Sequence, residues 1–232
     1  MMLELFPEGF EERDLPDGVE LAAYTNAGGE ERLWQVFGPG QSEEVEGGWE
    51  HAWRRFHRPL RVGPLWVGPP WEEPDPEALP VVIDPGRAFG TGAHPTTRLC
   101  LELLLSLPRG SLADIGSGSG VLTIAAARLG FSPLWAFDHD PLAVEATRRN
   151  AALNEVEVEA YELDAFLTPL PEADVTVANI ALSAVEALAA RVRSPSYVTS
   201  GYLATQHPAA TGWETLRRHE LDGWAADLLG RA

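Results

Sequence analysis

Lysine is missing from this 232-residue chain, and all 17 of its basic residues are arginine. Against them stand 35 aspartates and glutamates, for a net charge of −18. A surface of that sign repels phosphate backbones, so direct nucleic-acid binding is not expected and basic partners are favoured. Solubility alone is the plainer reading of the same charge. Cysteine occurs once, at Cys100, which excludes an internal disulfide and suits a reducing compartment. It falls in a helical run and reads as core. No stretch stays apolar for the roughly 18 residues that suggest a membrane-spanning helix, so no membrane partner is expected. The start, Met1 to Glu8, lacks the basic region and apolar core of a secretion signal. A cytoplasmic location is therefore expected, and no metal site is.

What the chain does have is concentrated in residues 111–138. Leu112 to Ile115 reads as a short buried strand carrying Asp114, and Gly116, Gly118 and Gly120 follow. Glycines there let the backbone turn sharply and let a ligand lie against it with no Cβ in the way. Val121 to Leu129 reads as a buried helix, and Leu134 to Phe137 as the next strand, with Asp138 at its carboxyl end. A glycine turn followed about 20 residues later by an acid is a nucleoside site, the acid accepting from both ribose hydroxyls. The glycines run G-x-G-x-G, without the last glycine that packs a helix under a pyrophosphate in G-x-G-x-x-G. Asp114 would repel a pyrophosphate but could receive an ammonium group. S-adenosyl-L-methionine, with an ammonium, a sulfonium and no phosphate, fits better than NAD.

Residues 1–46 read as a small α+β piece, with strands over Val19 to Tyr24 and Arg32 to Phe37 and a turn at Thr25 to Gly29. Trp49, Ala52, Trp53 and Phe56 share one face at helical spacing, which predicts a connecting helix over 47–58. Leu60 to Val67 and Pro80 to Ile83 read as strands. The segment from Asp84 to Thr97 is too polar and glycine-rich for core, and loops of that length beside a scaffold often carry function. Thr96 and Thr97 open a helix through Leu107, with hydroxyls able to cap it. Asp140 caps the helix that ends at Asn154, and Pro141 takes its first turn. Val156 to Tyr161 is a third strand, and Asp164 beyond it either bonds an adenine amine or is a solvated loop acid. Ala173 to Ala178 is a fourth strand ending at Asn179. Ser183 to Val192 is a helix, Tyr197 to Ser200 a fifth strand, and Glu214 to Leu221 with Trp224 to Leu229 a hairpin across Asp222-Gly223. The expected class is α/β: a Rossmann-like, mostly parallel sheet with a reversed edge strand from the C-terminal hairpin, as in S-adenosyl-L-methionine-dependent methyltransferases, plus the small N-terminal α+β domain.

Three motifs, with Asp138 between the second and third, narrow this further. Gly90-Thr91-Gly92-Ala93-His94-Pro95-Thr96-Thr97, Asp114-Ile115-Gly116-Ser117-Gly118-Ser119-Gly120 and Val177-Ala178-Asn179-Ile180 stand in the order and spacing of the bacterial PrmA family, which the chain resembles over roughly residues 46–232. The glycine motif is common to many such enzymes, whereas the G-T-G-x-H-x-T-T loop joined to A-N-I is far more specific. The resemblance implies methylation of amines on large-subunit ribosomal protein eleven. It implies cofactor contacts at Thr97, Gly116, Asp138 and Asn179, a linker helix at 47–58, a methyltransferase domain at 59–232, and a shortened substrate-recognition domain at 1–46. Gly118, Asp114 and Asp164 complete the expected cofactor site.

Methyl transfer needs a neutral amine, while free lysine has a pKa of about 10.4. A dry site beside a sulfonium lowers that value, and the remaining work is alignment. Asn179 is the expected catalytic residue, its side-chain oxygen aimed at the amine hydrogens; alternatively it caps the helix that follows. Asn179-Ile180-Ala181-Leu182 lacks the prolines and aromatic of N-P-P-Y, which favours a flexible aliphatic amine, a lysine side chain or an N-terminus, on a basic protein. His94 reads as part of a lid. Compositional bias accounts for the missing lysine, although a lysine-modifying enzyme without lysine would also spare itself. A monomer is expected. The alternatives are a methyltransferase of a small amine or another protein, an NAD-dependent oxidoreductase, and a non-catalytic module of the same fold.

Overall fold

The structure, a computed structural model, describes residues 11–15, 18–22, 27–38, 40, 59–84 and 94–232. The expected helix at 47–58, the loop residues Gly90 to Ala93 and the first ten residues lie outside the described residues. The chain divides into two units, Met1–Trp53 and Arg54–Ala232.

In the first unit, β1 (Glu11–Leu15) and β2 (Gly18–Ala22) form an antiparallel pair, and α1 (Ala27–Phe37) follows. The strand expected over Val19 to Tyr24 is thus present as β2. Arg32 to Phe37, expected as a strand, is the body of a helix. Six residues are too few to separate the two hydrophobic periods. Gly29 and Leu33, one turn apart, are the turned-in positions, while Gln35 and Phe37, which a strand would place beside Leu33, are exposed. Ala27 to Gly29, expected in a turn, open this helix. Gly38 closes it at φ 86° with its N–H on the Trp34 carbonyl at 3.0 Å, the left-handed stop that glycine permits.

The second unit begins with a three-stranded sheet of β3 (Leu60–Val62), β4 (Leu65–Gly68) and β5 (Leu79–Val82). The single strand expected from Leu60 to Val67 is therefore a hairpin. Gly63 sits at φ 54° and Pro64 cannot donate to a ladder, so the run breaks there. Next come α2 (Pro95–Leu105), β6 (Leu112–Ile115), α3 (Val121–Leu129), β7 (Leu134–Asp138), α4 (Pro141–Leu153) and β8 (Glu159–Glu162). The chain continues through β9 (Val175–Asn179), α5 (Leu182–Leu188), β10 (Ser196–Leu203), β11 (Trp213–Leu221) and β12 (Trp224–Arg231). The order in the large sheet is β11-β12-β10-β9-β6-β7-β8. From β8 to β10 it is parallel, and β12 runs against β10. The hairpin supplies the reversal as expected, but the reversed strand lies one place in from the edge, and β11 is outermost. α5 is shorter than the expected Ser183 to Val192.

Two cores flank this sheet. On one face α2, α3 and the three-stranded sheet bury Leu65, Val81, Leu101, Leu104, Leu112, Ile124 and Val198. On the other, Tyr197, Tyr202, Trp213 and Leu229 pack with Val185 and Leu188 of α5. No described helix is long and apolar enough to cross a membrane.

Side chains satisfy the edge of β5 that faces away from β4. Asn154 accepts from the Val82 N–H at 2.8 Å and donates to the Val82 carbonyl at 2.6 Å. Asn150 accepts from the Asp84 N–H at 3.0 Å and donates to the Ser119 carbonyl at 2.9 Å. Both amides are fully buried. One pair of side chains thus ties β5, α4 and the glycine loop together. Asn154→Ala strands two backbone groups, each costing about 1–3 kcal/mol. We expect a loss of about 2–4 kcal/mol in urea unfolding followed by circular dichroism, and a loss below about 0.5 kcal/mol would contradict it.

Candidate active site

The carboxyl ends of β6, β7 and β9 meet at the glycine loop, where an open α/β sheet holds its ligand. Gly116, Gly118 and Gly120 all have positive φ, at 75°, 55° and 81°. A Cβ on Gly116 would stand 2.5 Å from the Ile180 side chain, so the absence of a side chain there is required by space as well as by conformation. The loop folds back on β7: the N–H groups of Gly116 and Ser117 both donate to the Phe137 carbonyl, at 2.8 and 3.1 Å.

Asp138, at the end of β7, is held from two sides. Its Oδ2 accepts from the Gly118 N–H at 3.0 Å and its Oδ1 from the Asp140 N–H at 3.0 Å. Each oxygen keeps capacity for a further donor, so the carboxylate is preset to receive two hydroxyls. His139 lies 3.5 Å from Oδ1 and is itself exposed.

Asp114 lies deeper, on β6, and is 1% exposed. Its Oδ2 accepts from the Thr123 hydroxyl at 2.6 Å, while its Oδ1 is buried with no hydrogen-bond partner. Burial pushes this carboxyl up to about 7, the Thr123 hydroxyl opposing and the Asp138 charge adding to the shift. Among the described residues no arginine pairs with Asp114 or Asp138. Among the described residues the site is therefore short of positive charge, which a cation would supply and a phosphate would aggravate. The unpartnered oxygen and the two-sided Asp138 both fit a nucleoside that carries an ammonium and a sulfonium.

Asn179 ends β9, two strands from Asp138 across β6. Two strand spacings put the two residues about 10 Å apart, a span that a nucleoside with a sulfonium arm can bridge. The Asn179 amide stands 3.5 Å from the hydroxyl of Thr97, which brings those two expected residues together. Thr97 is buried in the first turn of α2. The cap of α2 is His94, not Thr96 or Thr97: its Nδ1 accepts from the Thr96 N–H at 3.3 Å and lies 2.8 Å from the Thr96 hydroxyl. Pro95 takes the first helical position, which moves the cap to the residue before it. The His94 ring meets Trp224 edge-on at 4.7 Å. Asp164 stands in the exposed connection after β8, with one carboxylate oxygen accepting from the Phe166 N–H at 2.8 Å. Cys100 is fully buried core, and burial holds its thiol well above its ordinary range.

Several contributors were not foreseen. Thr147 donates to the Gly118 carbonyl at 3.1 Å and meets the Ser117 hydroxyl at 3.0 Å. With Asn150 and Asn154 it forms a polar row at helical spacing among the buried alanines of α4, which is the signal that would have found it. Gly201 is the other. It adopts φ 101°, and a Cβ there would lie 2.1 Å from the Ile180 carbonyl oxygen.

A family model described as Ribosomal protein L11 methyltransferase (PrmA) matches residues 19–226. The chain belongs to this family. A ribosomal protein L11 methyltransferase of Symbiobacterium thermophilum is 41% identical over 199 residues, covering 78% of this chain and 64% of that protein. One from Exiguobacterium sp. is 34% identical over 247 residues, covering 90% and 78%. The chain spans 64%, 55% and 50% of the lengths of three of the curated relatives it matches. The crystal structure of a ribosomal protein L11 methylase from Lactobacillus delbrueckii subsp. bulgaricus superposes with a TM-score of 0.66 at 26% identity, over 75% of this chain and 99% of that one. The large sheet is accordingly the Rossmann-like methyltransferase fold.

Gly201→Ala tests how tightly the floor beneath Asn179 is packed. Left-handed backbone and overpacking each cost about 1–3 kcal/mol. We expect a combined loss of about 2–5 kcal/mol in thermal unfolding, and an unchanged melting temperature would mean that the β9 and β10 ends are not in close contact.

Proposed function

We propose that this chain is an S-adenosyl-L-methionine-dependent protein N-methyltransferase. Residues 59–232 form its catalytic domain and 1–46 a small substrate-recognition domain, with 47–58 linking them. Its substrate is a basic protein, a large-subunit ribosomal protein of the kind named in its relatives, modified on a lysine side chain or an N-terminal amine. It works as a monomer in the cytoplasm, for which the lone, buried Cys100 is suited. The observation that carries the reading is the Asp138 carboxylate, fixed by two backbone N–H groups above the glycine loop, with the Asn179 amide on the far side of β6.

Asp138 accepts the two ribose hydroxyls. Gly116 and Gly118 present bare backbone to the nucleoside. Asp114 receives the ammonium, and Asp164 has an oxygen left for an exocyclic amine. Thr97 steadies the Asn179 amide, whose oxygen accepts an N–H of the incoming amine and so points its lone pair. The bound cofactor supplies an electrophilic methyl group, which the neutral amine takes by in-line displacement at the sulfonium carbon. Asn179 contributes alignment rather than a bond, and the acidic surface, net −18, draws a basic substrate.

Incubating the full chain with labelled S-adenosyl-L-methionine and the purified ribosomal protein should label the protein's amines. Label appearing only on a small amine would overturn the protein substrate. Asp138→Ala removes two charge-assisted hydrogen bonds of about 1.5–3 kcal/mol each, so calorimetry should show cofactor affinity reduced about a hundredfold or more. Asn179→Ala should leave that affinity within about threefold and lower kcat about a hundredfold, the cost of a lost alignment. Full turnover in the Asn179→Ala variant would remove the orienting role.

A further inference from the structure

Asp114 has an arrangement that its expected role as an ammonium acceptor does not require. A buried carboxylate is normally met by donors at both oxygens or by a cation. Here the Thr123 hydroxyl serves Oδ2, and Oδ1 has no partner. The described residues around it are these. From α2 comes the buried Cys100 thiol, which burial keeps neutral. From α3 comes Thr123, whose hydroxyl and backbone N–H both favour the ionised carboxyl but are outweighed by burial. On the strands beside β6, the residues in register are Val177 on β9 and Ala136 on β7, neither of which carries charge. Among the described residues, the charged group that bears on Asp114 is the Asp138 carboxylate, of the same sign. An ionised Asp114 would therefore sit in a dry site with one oxygen bare and a like charge nearby.

We propose that Asp114 is the charge selector of the pocket: it stands protonated while the pocket is empty and gives up its proton to solvent when a cationic nucleoside arrives, so that capture of the sulfonium nucleoside releases one proton. This rests on the cofactor reading above and adds to it a reason for specificity. A ligand with an ammonium gives the bare oxygen a donor and the buried charge a counterion, and both favour ionisation. Adenosine offers no charge, so it leaves Asp114 neutral and gains nothing from it. An adenosine phosphate adds negative charge beside Asp138 and is refused. The position of the carboxyl near 7 in the ligand-free protein agrees with this arrangement and sets the window. Below about pH 7 the proton must be displaced, and affinity falls about tenfold per pH unit. Above it the carboxylate is already ionised, and affinity levels off.

Two measurements on the full chain test the selector. Carbon-13 NMR of the aspartate side-chain carboxyls in the ligand-free protein should show one resonance with a midpoint near 7, absent in Asp114→Asn. A midpoint below 5 for that resonance would overturn the proposal. Calorimetry with S-adenosyl-L-methionine, run at pH 6 in two buffers of different ionisation heat, should report about one proton released per site, falling towards zero near pH 8.5. The same titration with adenosine should release none. In Asp114→Asn the proton release should vanish, and the preference for the cationic ligand over adenosine should shrink at least about tenfold. The wild-type proton count stands whether or not that variant folds. Binding of S-adenosyl-L-methionine with no proton release at pH 6 overturns the selector alone. No binding at any pH overturns the cofactor reading, and the selector with it.

Discussion

The glycine loop keeps its shape because it is hydrogen-bonded onto the end of the neighbouring strand. Gly116 and Ser117 donate to the Phe137 carbonyl, and Gly118 donates to the Asp138 carboxylate next along. These bonds cross from β6 to β7 at the point where the parallel ladder runs out. They need three residues at positive φ within five positions, which is why glycine recurs there. They also place the acid without a contribution from the ligand, so the site is formed before anything binds. The rest of the second unit supports this joint. Thr147 holds the Gly118 carbonyl from α4, Asn150 holds the Ser119 carbonyl, and Ile180 fills the space that a side chain on Gly116 would take.

The part of the molecule that was legible in the sequence is the part governed by local rules. Glycines, strand lengths and the Asp140-Pro141 cap act within a few residues, and the elements from β6 to α4 came out where they were expected. Asp114, Gly116, Gly118 and Asp138 follow from the same short stretch. Errors arose where two local signals competed or where a distant partner decided the outcome. Arg32 to Phe37 alternates like a strand but coils because Gly29 and Leu33 turn inward together. Leu60 to Val67 is apolar enough for one strand, yet Gly63 and Pro64 fold it into two. His94 took the cap from two threonines because Pro95 claimed the first helical turn. The asparagines of α4 stand in a polar row visible in the sequence, but what they bind could not be read, since Val82 and Asp84 lie more than 60 positions earlier.

The two faces of the large sheet carry different kinds of core. The face towards α2 and α3 is aliphatic, with Asp114 and Thr123 among its buried polar groups. The face towards α5 is aromatic and is threaded by a polar cluster. There the Tyr202 hydroxyl donates to Asp227 at 2.8 Å, and Arg218 donates to the same carboxylate oxygen at 2.7 Å. Arg218 also reaches the carbonyls of Ala204 and Gln206, at 2.7 and 2.9 Å, so this buried pair fixes the connection that leaves β10 just beyond Gly201. A bare ion pair in a core is weak evidence of stability. With these added bonds the guanidinium acts chiefly as a brace for the chain near Asn179.

β12 is made after every other strand of the sheet but is inserted between β10 and β11. While the polypeptide is still being synthesised, β10 therefore has an open edge and β11 has nothing to pair with. Arg218 is translated before its carboxylate partner exists, and the Ser200 hydroxyl waits for the carbonyl of Ala225. The half of the sheet beyond β9 cannot close until residues 224–231 have left the ribosome. For that interval the nascent chain carries an exposed apolar edge beside a finished glycine loop, and it is then that the protein is most open to mispairing with another copy of itself.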